Sequence, residues 1–132
     1  MTTRETVDAL FARLARGDLA GTRALFADHV DWDIPGATGI VPWIGRRRTG
    51  DEAAAFYATL DEHLERDIFE VERVFVDGEH AVATGHLRSV VRTTGRVIET
   101  PFTIQLTVVG GRITRYLILE DSHAVAEAAR PR

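Results

Sequence analysis

The hydrophobic pattern changes period halfway along the chain, from helical spacing to alternation. Val7, Leu10, Phe11 and Leu14 recur at i, i+3, i+4 and i+7, the single apolar stripe of an amphipathic helix. Gly17 is suited to end that helix, and Asp18 to cap a second short one running through Phe26. Val30, Trp32 and Ile34 then alternate with His29, Asp31 and Asp33, which predicts a strand with one wet face. Pro35 ends it, because proline has no amide hydrogen to give to a ladder. A loop through Gly39, Pro42 and Gly45 leads to a further helix. Thr49 or Asp51 is placed to cap it, and Ala54, Phe56, Tyr57, Leu60 and Leu64 are its apolar positions.

After Asp67 the period is two. Residues 68–77, 80–92, 96–109 and 112–120 predict strands. Asp77-Gly78, Thr94-Gly95 and Gly110-Gly111 mark tight turns between them, so the four form an antiparallel meander. Residues 123–129 predict a short polar-alanine helix. Helices, a strand, a helix and four strands, with no internal repeat or linker, predict a single α+β domain over 1–132. Its sheet bends strongly over the N-terminal helices and covers an apolar pocket.

Composition narrows the function classes. A length of 132 residues is enough for a core without staples, and the absence of cysteine removes disulfides, thiol nucleophiles and thiolate metal sites together. A net charge of −4 argues against nucleic acid as a partner. No apolar run reaches the roughly 20 residues a membrane helix needs, and the N-terminal residues lack the apolar core of a signal peptide. The expectation is a cytoplasmic protein with no membrane partner. All the basic residues are arginine, a compositional bias, and the cluster Arg46-Arg47-Arg48 reads as a solvated loop.

Gly36-Ala37-Thr38-Gly39 lacks the lysine and following helix of a phosphate loop, so no nucleotide cofactor is implied. Ser89 and Ser122 have no nucleophile elbow around them. His29, Asp31 and Asp33 share a strand face but spread over roughly 13 Å, too far for one ion, and no metal is expected.

Gly17-Asp18-Leu19, Ala24-Leu25-Phe26-Ala27-Asp28, Pro35-Gly36, Gly45, Phe56-Tyr57 and Gly111-Arg112-Ile113, in that order and spacing, resemble the nuclear transport factor 2-like superfamily. The likeness is to its SnoaL-like and ketosteroid-isomerase-like members and covers nearly the whole chain. It implies a conical α+β fold around an apolar cavity, and a homodimer formed through the outer sheet face. The isomerase acid–base set does not carry over: its positions fall at Leu10, Ile34 and Thr103, none of which can do that chemistry. Limonene-epoxide-hydrolase-like and SnoaL-like cyclase members carry an aspartate at the end of the last strand, which Asp121 resembles. The hydrolase's earlier arginine–aspartate pair would correspond to His86 and Arg88, so its second carboxylate is missing. A cyclase-type aspartate–histidine pairing fits better.

The residues themselves leave alternatives open. Asp121 is a candidate general base whose pKa would rise at the mouth of an apolar cavity, or it caps the tail helix. Strict alternation from Tyr116 and Ile118 points Glu120 inward instead, so Glu120 stands second. His86 is a candidate proton shuttle or an interfacial histidine, and either face of its strand can look inward. Arg88 would stabilise negative charge. Trp32, Trp43, Phe56, Tyr57 and Tyr116 are candidate ligand walls or plain core. Gln105, with Thr103 and Thr107, would orient a substrate oxygen, which leaves Phe102, Ile104 and Leu106 as an apolar row for a dimer partner.

Two functions follow. One is a cofactor-independent acid–base enzyme, of isomerase, cyclase or epoxide-opening type, acting on an apolar oxygen-bearing small molecule. The other is a non-catalytic binding or accessory protein that uses the same cavity.

Overall fold

Local chemistry places each helix start. In the computed structural model, which describes residues 1–131, Thr2 and Glu5 form a reciprocal capping box at the head of α1 (Thr3–Ala15). Asp18 accepts from the Gly21 amide and opens α2 (Leu19–Ala24). Thr49, not Asp51, opens α3 (Gly50–His63), again in a capping box, with Glu52. Phe26 is not the end of a helix: it begins β1 (Phe26–Asp33).

The remaining elements are β2 (Arg47–Thr49), β3 (Leu64–Asp77), β4 (His80–Val91), β5 (Val97–Val109), β6 (Arg112–Glu120) and α4 (Ser122–Ala129). The six strands form one sheet in the order β2-β1-β6-β5-β4-β3. β3 to β6 are an antiparallel meander, and β1 joins it by running parallel to β6, with Trp32 opposite Tyr116.

Bulges bend the sheet: β3 slips register between Arg66 and Ile68 and again between Val71 and Arg73, and the β5–β6 ladder slips after Thr107. Gly85 belongs to the same bend. A Cβ there would collide with the Glu70 carbonyl oxygen on one side and the Phe102 ring edge on the other, so the second β3 bulge and the aromatic row can meet only across a glycine. The concave face takes α1 and α3. Val7, Leu10, Trp32, Phe56, Ile104 and Tyr116 belong to this core. A second cluster joins Val41 and Trp43 of the long loop to Leu64, Val91, Ile98 and Val125 of α4. Thr94 and Arg96 in the β4–β5 turn hold the end of α4, donating to the carbonyls of Ala128, Glu127 and Arg130.

Burial settles which faces look inward. On β4 the inner row is Ala81, Ala83, Gly85, Leu87, Ser89 and Val91. On β5 it is Phe102, Ile104, Leu106 and Val108, while Thr103, Gln105 and Thr107 lie on the convex face. This reverses the assignment expected for β5. The helices cover the apolar row because a strand under them exchanges more apolar area with water than its polar row could. No helix among the described residues is long and apolar enough to cross a membrane.

Candidate functional site

Between the helices and the concave face lies a cavity of about 680 Å³. α1 contributes Phe11 and Leu14, α3 contributes Phe56, Tyr57 and Leu60, and the sheet contributes Phe69, Leu87, Phe102, Ile104, Tyr116 and Ile118. Trp43 and Val125 close the end beneath α4. Asp61, Glu65, Arg66, Asp67 and Arg92 also line it but are exposed, and they mark its open end. The rings are ordered against each other: Phe69 stacks on Phe102 at 4.9 Å with planes 9° apart, and Phe11 tilts against Phe69.

Glu120 is the carboxylate on the inner wall. It ends β6 opposite Phe102, is mostly buried, and lines the cavity. Its carboxylate makes no hydrogen bond or ion pair among the described residues, and burial alone pushes its pKa from 4.5 up to about 7. A group so placed exchanges protons at neutral pH.

Asp121 is turned the other way. Its Oδ1 accepts from the Ala124 amide at 3.0 Å, the N-cap of α4, and its side chain is exposed. The strand therefore keeps its alternation to the last residue, and the helix takes Asp121. His86 and Arg88 stand on the convex face in a surface network: His86 Nε2 lies 3.3 Å from Glu99, and Arg88 pairs with Asp67 and Glu99. The structure does not bring His86 near Glu120 or Asp121, and Gln105 also faces away from the cavity.

Of the expected aromatic wall, Trp43, Phe56, Tyr57 and Tyr116 line the cavity. Trp32 does not: it is fully buried behind Tyr116, stacked on that ring at 5.5 Å with planes 7° apart. The Arg47 guanidinium covers Trp32 at 4.6 Å and Phe56 at 4.8 Å. It donates to the carbonyls of Gly45 and Trp43 and is half-buried, which lowers its pKa. Arg47 thus belongs to the core and not to a solvated loop. A basic residue followed by an isolated β-strand pair carries no periodic signal, so sequence reading missed it together with β2. Ser89, buried on the inner row of β4, also lines the cavity.

No group of three or more His, Asp or Glu side chains among the described residues is placed to hold a metal ion. Asp31, one of the strand acids, faces Arg46 and Arg115 instead.

A layer of helices on a six-stranded bent sheet, with a deep apolar cavity between them, defines the class of cone-shaped α+β domains to which nuclear transport factor 2-like proteins belong. The chain is a member of the SnoaL-like domain family, whose model matches residues 7–116. It is similar to a nuclear transport factor 2-like protein of Burkholderia xenovorans LB400, at 27% identity over 98% of both chains and a TM-score of 0.88. A related protein of Burkholderia thailandensis E264 is 23% identical over 99% of both chains, again at 0.88. A Pseudomonas putida KT2440 protein named as a polyketide cyclase shares the fold at 20% identity over 98% of both chains, with a TM-score of 0.77. The sequence matches no curated protein.

Proposed function

We propose that this protein is a cofactor-independent acid–base catalyst of the isomerase or cyclase type, acting on a small apolar carbonyl compound. The observation that carries the reading is Glu120: a carboxylate without a partner among the described residues, set in an aromatic wall and titrating near neutrality. A general base works best when its pKa lies close to the operating pH. The ionised carboxylate would take a proton from a carbon next to a carbonyl, leaving an enolate. Where the compound carries a double bond β,γ to the carbonyl the enolate is a dienolate, and returning the proton to its γ-carbon shifts the double bond into conjugation, an isomerisation. Alternatively, the enolate carbon attacks a second carbonyl of the same molecule, and protonated Glu120 gives its proton to the resulting alkoxide, closing a ring. The family and the fold shared with proteins named as a polyketide cyclase and an isomerase support this reading.

The test works without the native substrate. A panel of enolisable aryl ketones in D₂O is followed by proton NMR for loss of the hydrogens next to the carbonyl. The expected result is exchange by the wild type that falls by about 10²–10⁴ in Glu120→Gln. No ketone exchanging faster with wild type than with Glu120→Gln would overturn it. One observation favours the second reading, a binding protein. His86, Arg88 and Asp121, which would have supplied further acid–base groups, all stand outside the cavity. Tight binding of the ketones without exchange is that reading's signature.

We also propose that two copies associate through the convex sheet face. Its register places Phe75, Val82, Gln105 and Leu117 in one row, with Leu119 in the next, and Phe75 and Leu119 are exposed.

A further inference from the structure

The base in the cavity is matched by a donor. Tyr57 on α3 and Tyr116 on β6 come from opposite walls, and their hydroxyls meet at 3.4 Å. Both side chains are buried, and both hydroxyls have only each other as partner among the described residues. Each hydroxyl carries one hydrogen, and only one can lie between the two oxygens. Whichever tyrosine donates, the other keeps an O–H with no protein acceptor, in a pair that lines the cavity. A buried donor left unmade costs about 1–3 kcal/mol, so an acceptor that enters the cavity gains from meeting it.

The pair is held in place from behind. Trp32 lies flat against the Tyr116 ring at 5.5 Å, and Phe56 packs edge-on against Tyr57 at 5.1 Å. Arg47 in turn covers both Trp32 and Phe56. One guanidinium therefore backs both rings that support the tyrosines. Burial raises the pKa of both phenols, Tyr57 to about 12, so they remain protonated donors across the range in which Glu120 titrates.

We infer that the Tyr57–Tyr116 pair is a clamp for a single ligand oxygen, and that the cavity selects ketone or enolate ligands over hydrocarbons of the same shape. This rests on the acid–base reading of the cavity and deepens it. Tyr116 and Glu120 share the inner face of β6 four residues apart, roughly 13 Å along the strand. Donor and base would therefore act on one substrate at separate points, the clamp fixing an oxygen while Glu120 removes a proton further along the molecule. The stacked Phe69–Phe102 pair lines the same cavity and suits a flat, fused-ring body.

The probes are 2-acetylnaphthalene and 2-isopropenylnaphthalene, which differ only by oxygen in place of a methylene. Their affinities are measured by calorimetric titration at neutral pH with wild type, Tyr57→Phe, Tyr116→Phe and the double variant. The quantity read is the ratio of ketone to alkene affinity, in which the greasier character of the alkene cancels between variants. The expected ratio in wild type is about five- to tenfold above that of the double variant, the value of one hydrogen bond. A wild-type ratio within twofold of the double variant overturns the inference. Should the double variant fail to fold, Tyr57→Met with Tyr116→Phe, which likewise removes both hydroxyls, is read against the same twofold limit; each single variant keeps one free donor and is expected to hold most of the ratio. Loss of exchange in Glu120→Gln beside an oxygen-blind wild type would leave the base standing and remove the clamp. An intact ratio without exchange would do the reverse.

Discussion

Glu120 makes the stability of the protein depend on pH in an unusual direction, and the effect is large enough to measure without any ligand. Its pKa is about 7 in the folded chain against 4.5 for an ordinary carboxylate. Between those values the unfolded chain has lost the proton and the folded chain has kept it. The folded state then binds more protons, so stability falls as pH rises. The contribution is fully present below pH about 4.5, declines through the window, and is gone above pH about 7. A difference of this size corresponds to about 3 kcal/mol, and roughly 9 °C in Tm for a domain of this length. Glu120→Gln keeps the shape and removes the titration. Urea denaturation of both proteins from pH 5 to 8.5 therefore isolates the term, since every other group titrates alike in the two. The expected result is a variant that gains on the wild type by about 2.5 kcal/mol from pH 5 to 8.5. Parallel curves would show that the carboxylate is solvated in the folded protein, and the argument for a neutral-pH base would fall with them.

Other substitutions separate the remaining roles. Asp121→Ala removes the α4 cap and is expected to cost about 1 kcal/mol, read by thermal denaturation, with ketone exchange unchanged; loss of exchange would restore Asp121 to the site. His86→Ala removes one surface contact, with Glu99, so stability should change by less than about 1 kcal/mol and exchange should persist. Gly85→Ala forces a Cβ between the Glu70 carbonyl and Phe102 and is expected to cost about 2–3 kcal/mol by urea denaturation. Leu119→Glu puts a charge on the convex face and should turn a dimer into a monomer in light scattering at micromolar concentration; a monomeric wild type would refute that interface.

The elements were legible because each carried its own signal. The apolar stripe of α1, the caps at Asp18 and Thr49, and the glycine turns of the meander act within a few residues, and the folded chain keeps them. β2 had no such signal. It is three residues long and exists because Arg47 folds over Trp32 and Phe56, partners distant in sequence from each other. β3 begins at Leu64, earlier than the alternation suggested, because α3 passes directly into the strand and Leu64 belongs to the core of both. Faces were harder than elements. A strand with an apolar row and a threonine–glutamine row can turn either one inward on sequence alone. Helices α1 and α3 settled β5 in favour of Phe102, Ile104 and Leu106.

The candidate site shows the same limit at higher cost. Reading Asp121 as the base required the strand to break its alternation at its last residue, in keeping with the family pattern. One cross-strand and one local interaction keep the alternation intact. The Asp121 amide donates to Thr100 Oγ1 at 3.0 Å, and its carboxylate caps α4 at 3.0 Å, so the residue is held at both ends outside the cavity. Glu120 is thereby left as the inward residue by simple period-two geometry. A helix cap and a cavity base cannot be the same carboxylate when they lie on opposite faces of one strand. Its neighbour Glu120 has no hydrogen-bonding duty among the described residues, and the exchange test is therefore aimed at Glu120.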